Sequence, residues 1–431
     1  MGRTAAVRWT RDRLREAAVV GFVATAGIVP SCTSRNGIPD AAIAHGPGGV
    51  NPDGSWTLAL TREVGLTGAD GCASVELPGG RRLWLFADSI IGSTMNGRHG
   101  PGSVIVRNAI AVEENRVGDH ERGTAPAEGS VSFWRGDPPA PGADLELEQP
   151  AFLQPTPGGA ARWCWPAGGA ALVRGGVGGE SGQRLVMFYH DMARRSEKAT
   201  DGIWDFRMVG TRLAVVDNPA ADPGTWSVGQ IELRQQSPPP ARQLSWGNSV
   251  LVDGAELLIY GLDSTELRNK RAIIARVHAD RVHAYSAWRF FAGDRNGTPS
   301  WSANDSDAVS VAEGVSDEFS VHRLERVPNT GRERWVMVHM EANLGRRVML
   351  RVGAGAVGPW GESVAVYEAP EPASDRRIFV YGAKGHPGAS REGELLVSYC
   401  VNSTDFWHML SDVRIYRPRF LRLSTASLLN E

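Results

Sequence analysis

Leu66 to Gly92 reads LTGADGCASVELPGGRRLWLFADSIIG, and its pattern is that of a β-hairpin with one acidic residue at the open end of each arm. Ala73, Val75 and Leu77 alternate with Ser74 and Glu76, the period of a strand with one buried face. Pro78-Gly79-Gly80 makes the turn, because proline presets φ and glycine accepts positive φ without a Cβ clash. Leu83-Trp84-Leu85-Phe86 is short, apolar and flanked by turn residues, which suits a buried return strand. Asp70 precedes Gly79 by nine residues and Asp88 follows it by nine. Antiparallel pairing on that symmetry sets the two opposite one another, with Cβ atoms ~4.5–5.5 Å apart. Two neighbouring carboxylates are what glycoside hydrolysis requires, one as acid and one as nucleophile or base. Asp70 and Asp88 are therefore the candidate catalytic residues. The plain structural alternative makes them polar residues of a turn and a strand end.

Four further apolar runs repeat this strand. Leu185-Val186-Met187-Phe188 leads into Tyr189-His190-Asp191, and Leu257-Leu258-Ile259-Tyr260 into Gly261-Leu262-Asp263. Trp335-Val336-Met337-Val338 leads into His339-Met340-Glu341, and Leu395-Leu396-Val397-Ser398 into Tyr399-Cys400-Val401-Asn402. A further strand is expected after each, at Arg212 to Val216, Ala272 to Val277, Arg347 to Val352 and Val413 to Tyr416. Self-similarity on this scale is the signature of a β-propeller. The expected fold is all-β, a five-bladed β-propeller over residues 56–424 with no helix after residue 60. A pair of β-sandwiches is the rival. Residues 115–150 and 217–243 read as surface loops, and 425–431 as a C-terminal tail.

The chain has 431 residues and a formal net charge of −2, with no basic excess for nucleic acid. Arg3, Arg8, Arg11, Arg13 and Arg15 precede the apolar run Ala17 to Val29, which is too short to span a bilayer and fits an export signal over residues 1–31. Val29-Pro30-Ser31-Cys32 resembles a lipoprotein box with Cys32 as the lipidated residue, while Ala24-Thr25-Ala26 offers a plain cleavage site. Residues 32–55 read as a linker. Export places the protein in a secreted or extracytoplasmic location, with membrane contact only through the signal or a lipid anchor on the outer face. A monomer is expected. Cys72, Cys164 and Cys400 remain, and buried free thiols are the default for such residues.

With these motifs in hand, the chain resembles a family of exported bacterial five-bladed propellers of formerly unknown function, some members of which are endo-D-arabinanases. The resemblance covers residues 56–424 and is carried by Asp70-Gly71, Ser74-Val75-Glu76-Leu77 and the run from Gly80 to Asp88. Trp163-Cys164-Trp165-Pro166, Trp246-Gly247-Asn248, Ala275-Arg276-Val277, Gly358-Pro359-Trp360 and Tyr416-Arg417-Pro418-Arg419-Phe420 extend it. It departs at Ala87 and Ser89, where the family usually has glycine and threonine. The resemblance implies a glycosidase whose catalytic acids map onto Asp70 and Asp88, acting on a cell-wall furanoside polysaccharide or oligosaccharide such as arabinan. The alternative is a non-catalytic propeller that binds carbohydrate or protein at the cell surface.

Residues at the inner ends of the blades are candidate substrate contacts: Asn108, Trp165, His190, Trp246, Asn248, Glu318, His386 and Asn402. Asn amides bond hydroxyls, and tryptophan rings stack on sugar faces. Glu318 is the reserve acid should one aspartate prove structural. No set of His, Asp or Glu has the spacing of a metal site, so no cofactor is expected, with a structural cation in the channel left open.

Overall fold

The computed structural model describes residues 49–114, 123–127, 130–134, 151–155, 162–174, 182–195, 206–235, 242–324, 333–342 and 344–426. The expected export signal over residues 1–31, Cys32 and the last five residues lie outside the described residues. The chain is all-β, with short helices at Gly54–Ala59, Glu371–Ser374 and Phe406–Ser411. The last two correct the expectation of no helix after residue 60. Among the described residues no helix is long and apolar enough to cross a membrane.

Five antiparallel sheets follow one another along the chain. Sheet I holds Ala73–Glu76, Arg82–Phe86, Ala109–Glu113 and Val131–Trp134. Sheet II holds Arg162–Arg174, Gln183–Arg194, Phe206–Val216 and Val228–Gln235. Sheet III starts with Leu244–Asp253, Glu256–Asp263 and Arg271–His278, and sheet IV with Phe319–Leu324, Arg334–Met340 and Arg347–Gly353. Sheet V runs Ile378–Gly385, Glu394–Ser403, Pro418–Ser424 and then Val50–Pro52, so the start of the described chain supplies its outermost strand.

The five repeated apolar runs are the second strands of these sheets, and their alternation explains the packing. Trp84 and Phe86 enter one core while Leu83 and Leu85 enter the next. Val186 and Phe188 divide in the same way from Leu185 and Met187, as do Leu257 and Ile259 from Leu258 and Tyr260. A strand has a side-chain period of two, so an unbroken apolar run is what a sheet covered on both faces demands. Each core lies between consecutive sheets: I with II, II with III, III with IV, IV with V, and V back onto I. The first strands of neighbouring sheets touch in the same order, from Ala73–Glu76 through to Ile378–Gly385.

Several boundaries differ from expectation. The end of the expected linker holds the strand Val50–Pro52 and the start of the helix Gly54–Ala59, and the supposed loops contain the fourth strands Val131–Trp134 and Val228–Gln235. Those strands are the outer ones of their sheets, where a polar face meets water and the apolar signal thins. The strand expected at Val413 to Tyr416 is instead a turn. Asp412 accepts a hydrogen bond from Arg414 N at 3.0 Å, Tyr416 has φ of 65°, and the strand begins at Pro418. A sixth, small sheet joins Val64–Ala69, Ser89–Met95, Arg98–His99 and Val104–Val106.

Asp53 ties the first strand and helix to sheet V. Its Oδ1 accepts from Trp56 N at 3.0 Å as a helix cap, and its Oδ2 receives Arg422 Nε at 2.6 Å. Asp53→Ala removes a cap and half of a largely buried ion pair, which should cost about 2–4 kcal/mol. Denaturant unfolding should show a lower midpoint at unchanged slope, and an unshifted midpoint would contradict this closure.

Candidate active site

The first hairpin is longer than its sequence suggests. Ala73 pairs with Leu85 and Glu76 with Arg82 in sheet I, while Ala69 pairs with Ser89 and Gly68 with Ile90 in the small sheet. Asp70 and Asp88 occupy the same register between them: Asp70 N donates to Asp88 O at 3.2 Å and Ala87 N to Asp70 O at 2.9 Å. The aspartates thus face each other where the hairpin crosses from one sheet to the other, not at its open end. Gly71, with φ of 67°, makes that crossing, and a Cβ there would meet Ala87 Cβ at 3.0 Å. A third segment crosses alongside, from Val104–Val106 in the small sheet to Ala109–Glu113 in sheet I, with Arg107 and Asn108 at the crossing.

The two carboxyl groups have unlike surroundings. Asp88 Oδ1 accepts Trp165 Nε1 at 2.7 Å, and its Oδ2 accepts Arg107 Nη1 at 3.1 Å. Asp70 Oδ2 accepts the Tyr381 hydroxyl at 2.5 Å, whereas its Oδ1 is buried without a hydrogen-bond partner. Burial, then the charge of Asp88, pushes the Asp70 carboxyl well above the usual carboxylate range against the pull of Tyr381. Burial also raises Asp88, opposed by the Arg107 charge and by the hydrogen bonds from Trp165 and Arg107. Asp70 is therefore the group better suited to hold a proton, and Asp88 the group better suited to remain ionised.

Other expected site residues divide into two sets. Trp165 is cross-strand to His190, and its ring meets Phe206 edge-on at 5.1 Å. His190 lies near Glu318 and Lys384, and burial lowers its pKa to about 4, leaving a neutral ring whose Nε2 has no partner. Glu318 is ion-paired with buried Lys384. Asn402 supports the pair indirectly, its Nδ2 donating to the Tyr381 hydroxyl at 3.3 Å. Asn248 donates to Asp317 O at 2.7 Å, fixing the segment that carries Glu318. An open cleft beside this group is lined by Lys270, Asp317, Glu318, Glu341 and Tyr381.

The second set belongs to the fold. Both amide protons of Asn108 go to backbone oxygens, of Leu153 at 2.7 Å and Cys164 at 2.9 Å, so it anchors a loop rather than a sugar. Trp246 is fully buried against Trp288 and Phe290 and offers no face for stacking. His386 is buried between the hydroxyls of Ser74 and Ser398 with its ring on Trp84. Cys72, Cys164 and Cys400 are buried free thiols. Among the described residues no group of three or more His, Cys, Asp or Glu could hold a metal ion.

Three strand-end acids of the repeats are matched by arginines, Glu341 while also lining the cleft. Asp191 is forked by Arg212 at 2.8 Å on both oxygens, Asp263 binds Arg242, and Glu341 binds Arg347. First strands bring Trp165, Tyr381 and Lys384 to the centre, the last two missed by the sequence expectations. Lys384 was signalled by a lone charge inside Ile378–Gly385, and Arg107 by its place between two apolar runs. Tyr416 also borders Asp70; its left-handed backbone is uncommon for a bulky residue and is held by Ala69 N on its carbonyl at 2.7 Å.

A family model, Domain of unknown function (DUF5005), matches residues 53–425, and the chain belongs to that family. It is similar to a solved structure described as a "putative hydrolase" from Bacteroides ovatus ATCC 8483, at 18% identity and TM-score 0.65, over 86% of this chain and 89% of that one. That likeness speaks for a shared fold. Fainter likenesses are to an exo-beta-1,3-galactanase from Phanerochaete chrysosporium (9% identity, TM-score 0.42, 85% of this chain, 64% of that chain) and to the catalytic domain of the Coprinopsis cinerea GH62 alpha-L-arabinofuranosidase (10%, 0.41, 85%, 95%). No curated protein matches the sequence.

The raised pKa of Asp70 predicts a pH-dependent stability. Its folded-state value lies above its unfolded one, so its contribution is full below the unfolded pKa and is lost as pH rises through the folded one. Asp70→Asn should unfold at nearly the parent's temperature in acid and at a higher temperature than the parent at pH 8. A variant no more stable than its parent at any pH would count against a buried, proton-holding pair.

Proposed function

We propose that this DUF5005 member is an exported glycoside hydrolase on a five-bladed β-propeller, acting within a cell-wall furanoside polymer such as D-arabinan. Sheets I to V are taken as the blades, since each packs on the next and the last on the first. The observation that carries the activity is the buried pair Asp70 and Asp88, in register and unlike in environment. In this reading Asp70 gives its proton to the leaving glycosidic oxygen. Asp88, held as a carboxylate by Arg107 and Trp165, attacks the anomeric carbon or takes a proton from the water that does. Glu318 and His190 contribute to binding at the centre. Residues 1–31 direct export, with Cys32 as a lipid anchor to the outer face of the cytoplasmic membrane, and the protein works as a monomer without a cofactor.

One observation favours a second reading. Asp70 and Asp88 expose only 2% and 1% of their surface, which leaves a polymer little access to their oxygens and suits a propeller that binds glycan or protein elsewhere without cutting it. Incubating the protein with arabinan and other wall polysaccharides separates the two. Released oligosaccharides support the hydrolase, and retention on the polymer without products supports the binder. Under the first reading Asp70→Asn and Asp88→Asn should each lower turnover by about two orders of magnitude or more. Glu318→Gln should act mainly on binding. Active aspartate variants beside an inactive Glu318 variant would move the chemistry to sheet IV.

A further inference from the structure

Tyr381 lies in the first strand of sheet V, just before Gly382, whose φ of 67° accompanies a register shift against the neighbouring strand. The residue has two neighbourhoods. It lines the open cleft with Lys270, Asp317 and Glu318, and its hydroxyl reaches across to sheet I to donate to Asp70 Oδ2 at 2.5 Å. Behind it, Asn402 Nδ2 donates to the same hydroxyl at 3.3 Å, while the Asn402 carbonyl is fixed by Ser403 N at 2.7 Å. The phenol oxygen therefore accepts from Asn402, and its single proton is directed at Asp70.

A carboxylic acid carries its proton on one oxygen. Because Oδ2 already accepts from Tyr381, a protonated Asp70 carries its proton on Oδ1, the oxygen with no hydrogen-bond partner among the described residues. Tyr416 borders the same carboxyl group and its hydroxyl draws the Asp70 pKa down, yet Oδ1 itself has no hydrogen-bond partner among the described residues. We infer that Tyr381 is a positioning residue that fixes which oxygen of Asp70 bears the transferable proton and keeps it uncommitted for a substrate oxygen. This rests on the reading of Asp70 as the acid of a glycoside hydrolase. No bond to Tyr381 forms or breaks: the proton leaves Asp70 Oδ1 for the leaving oxygen, and the Tyr381 hydroxyl then stabilises the carboxylate on Oδ2.

Around Asp70 stand Asp88 and Glu318, which raise its pKa, and Tyr381 and Tyr416, which lower it. Deleting the Tyr381 hydroxyl therefore makes Asp70 hold its proton to higher pH. Tyr381→Phe is compared with the parent, Asn402→Ala and Asp70→Asn on the full chain. For Tyr381→Phe two results are expected: the pH at which thermal stability is lost moves upward, and turnover of arabinan falls about tenfold or more with KM little changed and its alkaline limb moved upward. Asn402→Ala should move both in the same direction by less, which covers the case in which the phenylalanine variant folds poorly. A purely structural Tyr381 would lower stability equally at every pH, and that result overturns the inference, as does an unmoved alkaline limb. If Asp70→Asn keeps the parent's turnover, or the parent releases no product, the hydrolase reading fails. The pH window of stability then still decides whether Tyr381 governs the Asp70 proton.

Discussion

Two carboxyl groups buried side by side cannot both be ionised without a large cost, since desolvation and mutual repulsion act in the same direction. Asp70 and Asp88 stand under that constraint, and the parts of five sheets around them are disposed to answer it unequally. Sheet I and the small sheet bring the pair into register. Arg107 and the Trp165 indole of sheet II supply a cation and a donor to Asp88 alone. Sheet V supplies Asp70 with a neutral donor, Tyr381, and Tyr416 lies close by. Burial raises both carboxyls, Asp70 well above the ordinary carboxylate range and Asp88 against the opposing pull of Arg107 and Trp165, so Asp70 is the better suited of the two to hold a proton.

The surrounding architecture explains how such an arrangement is held still. Each sheet is apolar on both faces, so consecutive sheets share a core and a shift in one is resisted by two neighbours. First strands, second strands and the crossings between sheets all carry central side chains, and glycines at the crossings and bulges, such as Gly71 and Gly382, turn the backbone there without a Cβ in the way. Charged strand ends of the other sheets are matched by arginines: Asp191 with Arg212, Asp263 with Arg242, Glu341 with Arg347. These pairs quench charge locally, leaving Asp70 with an unbalanced electrostatic demand.

Much of this was legible in the chain. The nine-residue symmetry about Gly79 gave the register of the aspartates, because antiparallel pairing is additive in residue number. The second strands were visible because burial on both faces leaves an unbroken apolar run. Outer strands such as Val131–Trp134 were not, since one face meets solvent and Pro/Gly-rich neighbours masked the pattern. Side-chain direction was the larger loss. Trp246, His386 and Asn108 have the right chemistry for sugars, yet their neighbours across the fold commit them to a core, a serine pair and a loop anchor. Tyr381 and Lys384 were hidden for the opposite reason, sitting inside an apolar strand whose bulge turns them toward the centre. No local pattern encodes which residue from more than three hundred positions away will meet Asp70.

The central claim is that the pair holds one proton unequally. Carboxyl-carbon NMR titration of aspartate-labelled protein, with Asp70→Asn and Asp88→Asn to assign the signals, measures this directly. The account predicts two coupled titrations displaced upward from the ordinary aspartate range, that of Asp70 above that of Asp88, with the Asp88 signal moving to lower pH once Asp70 is neutralised. Independent titration of both groups in the ordinary range, or Asp88 retaining its proton to higher pH than Asp70, would contradict it.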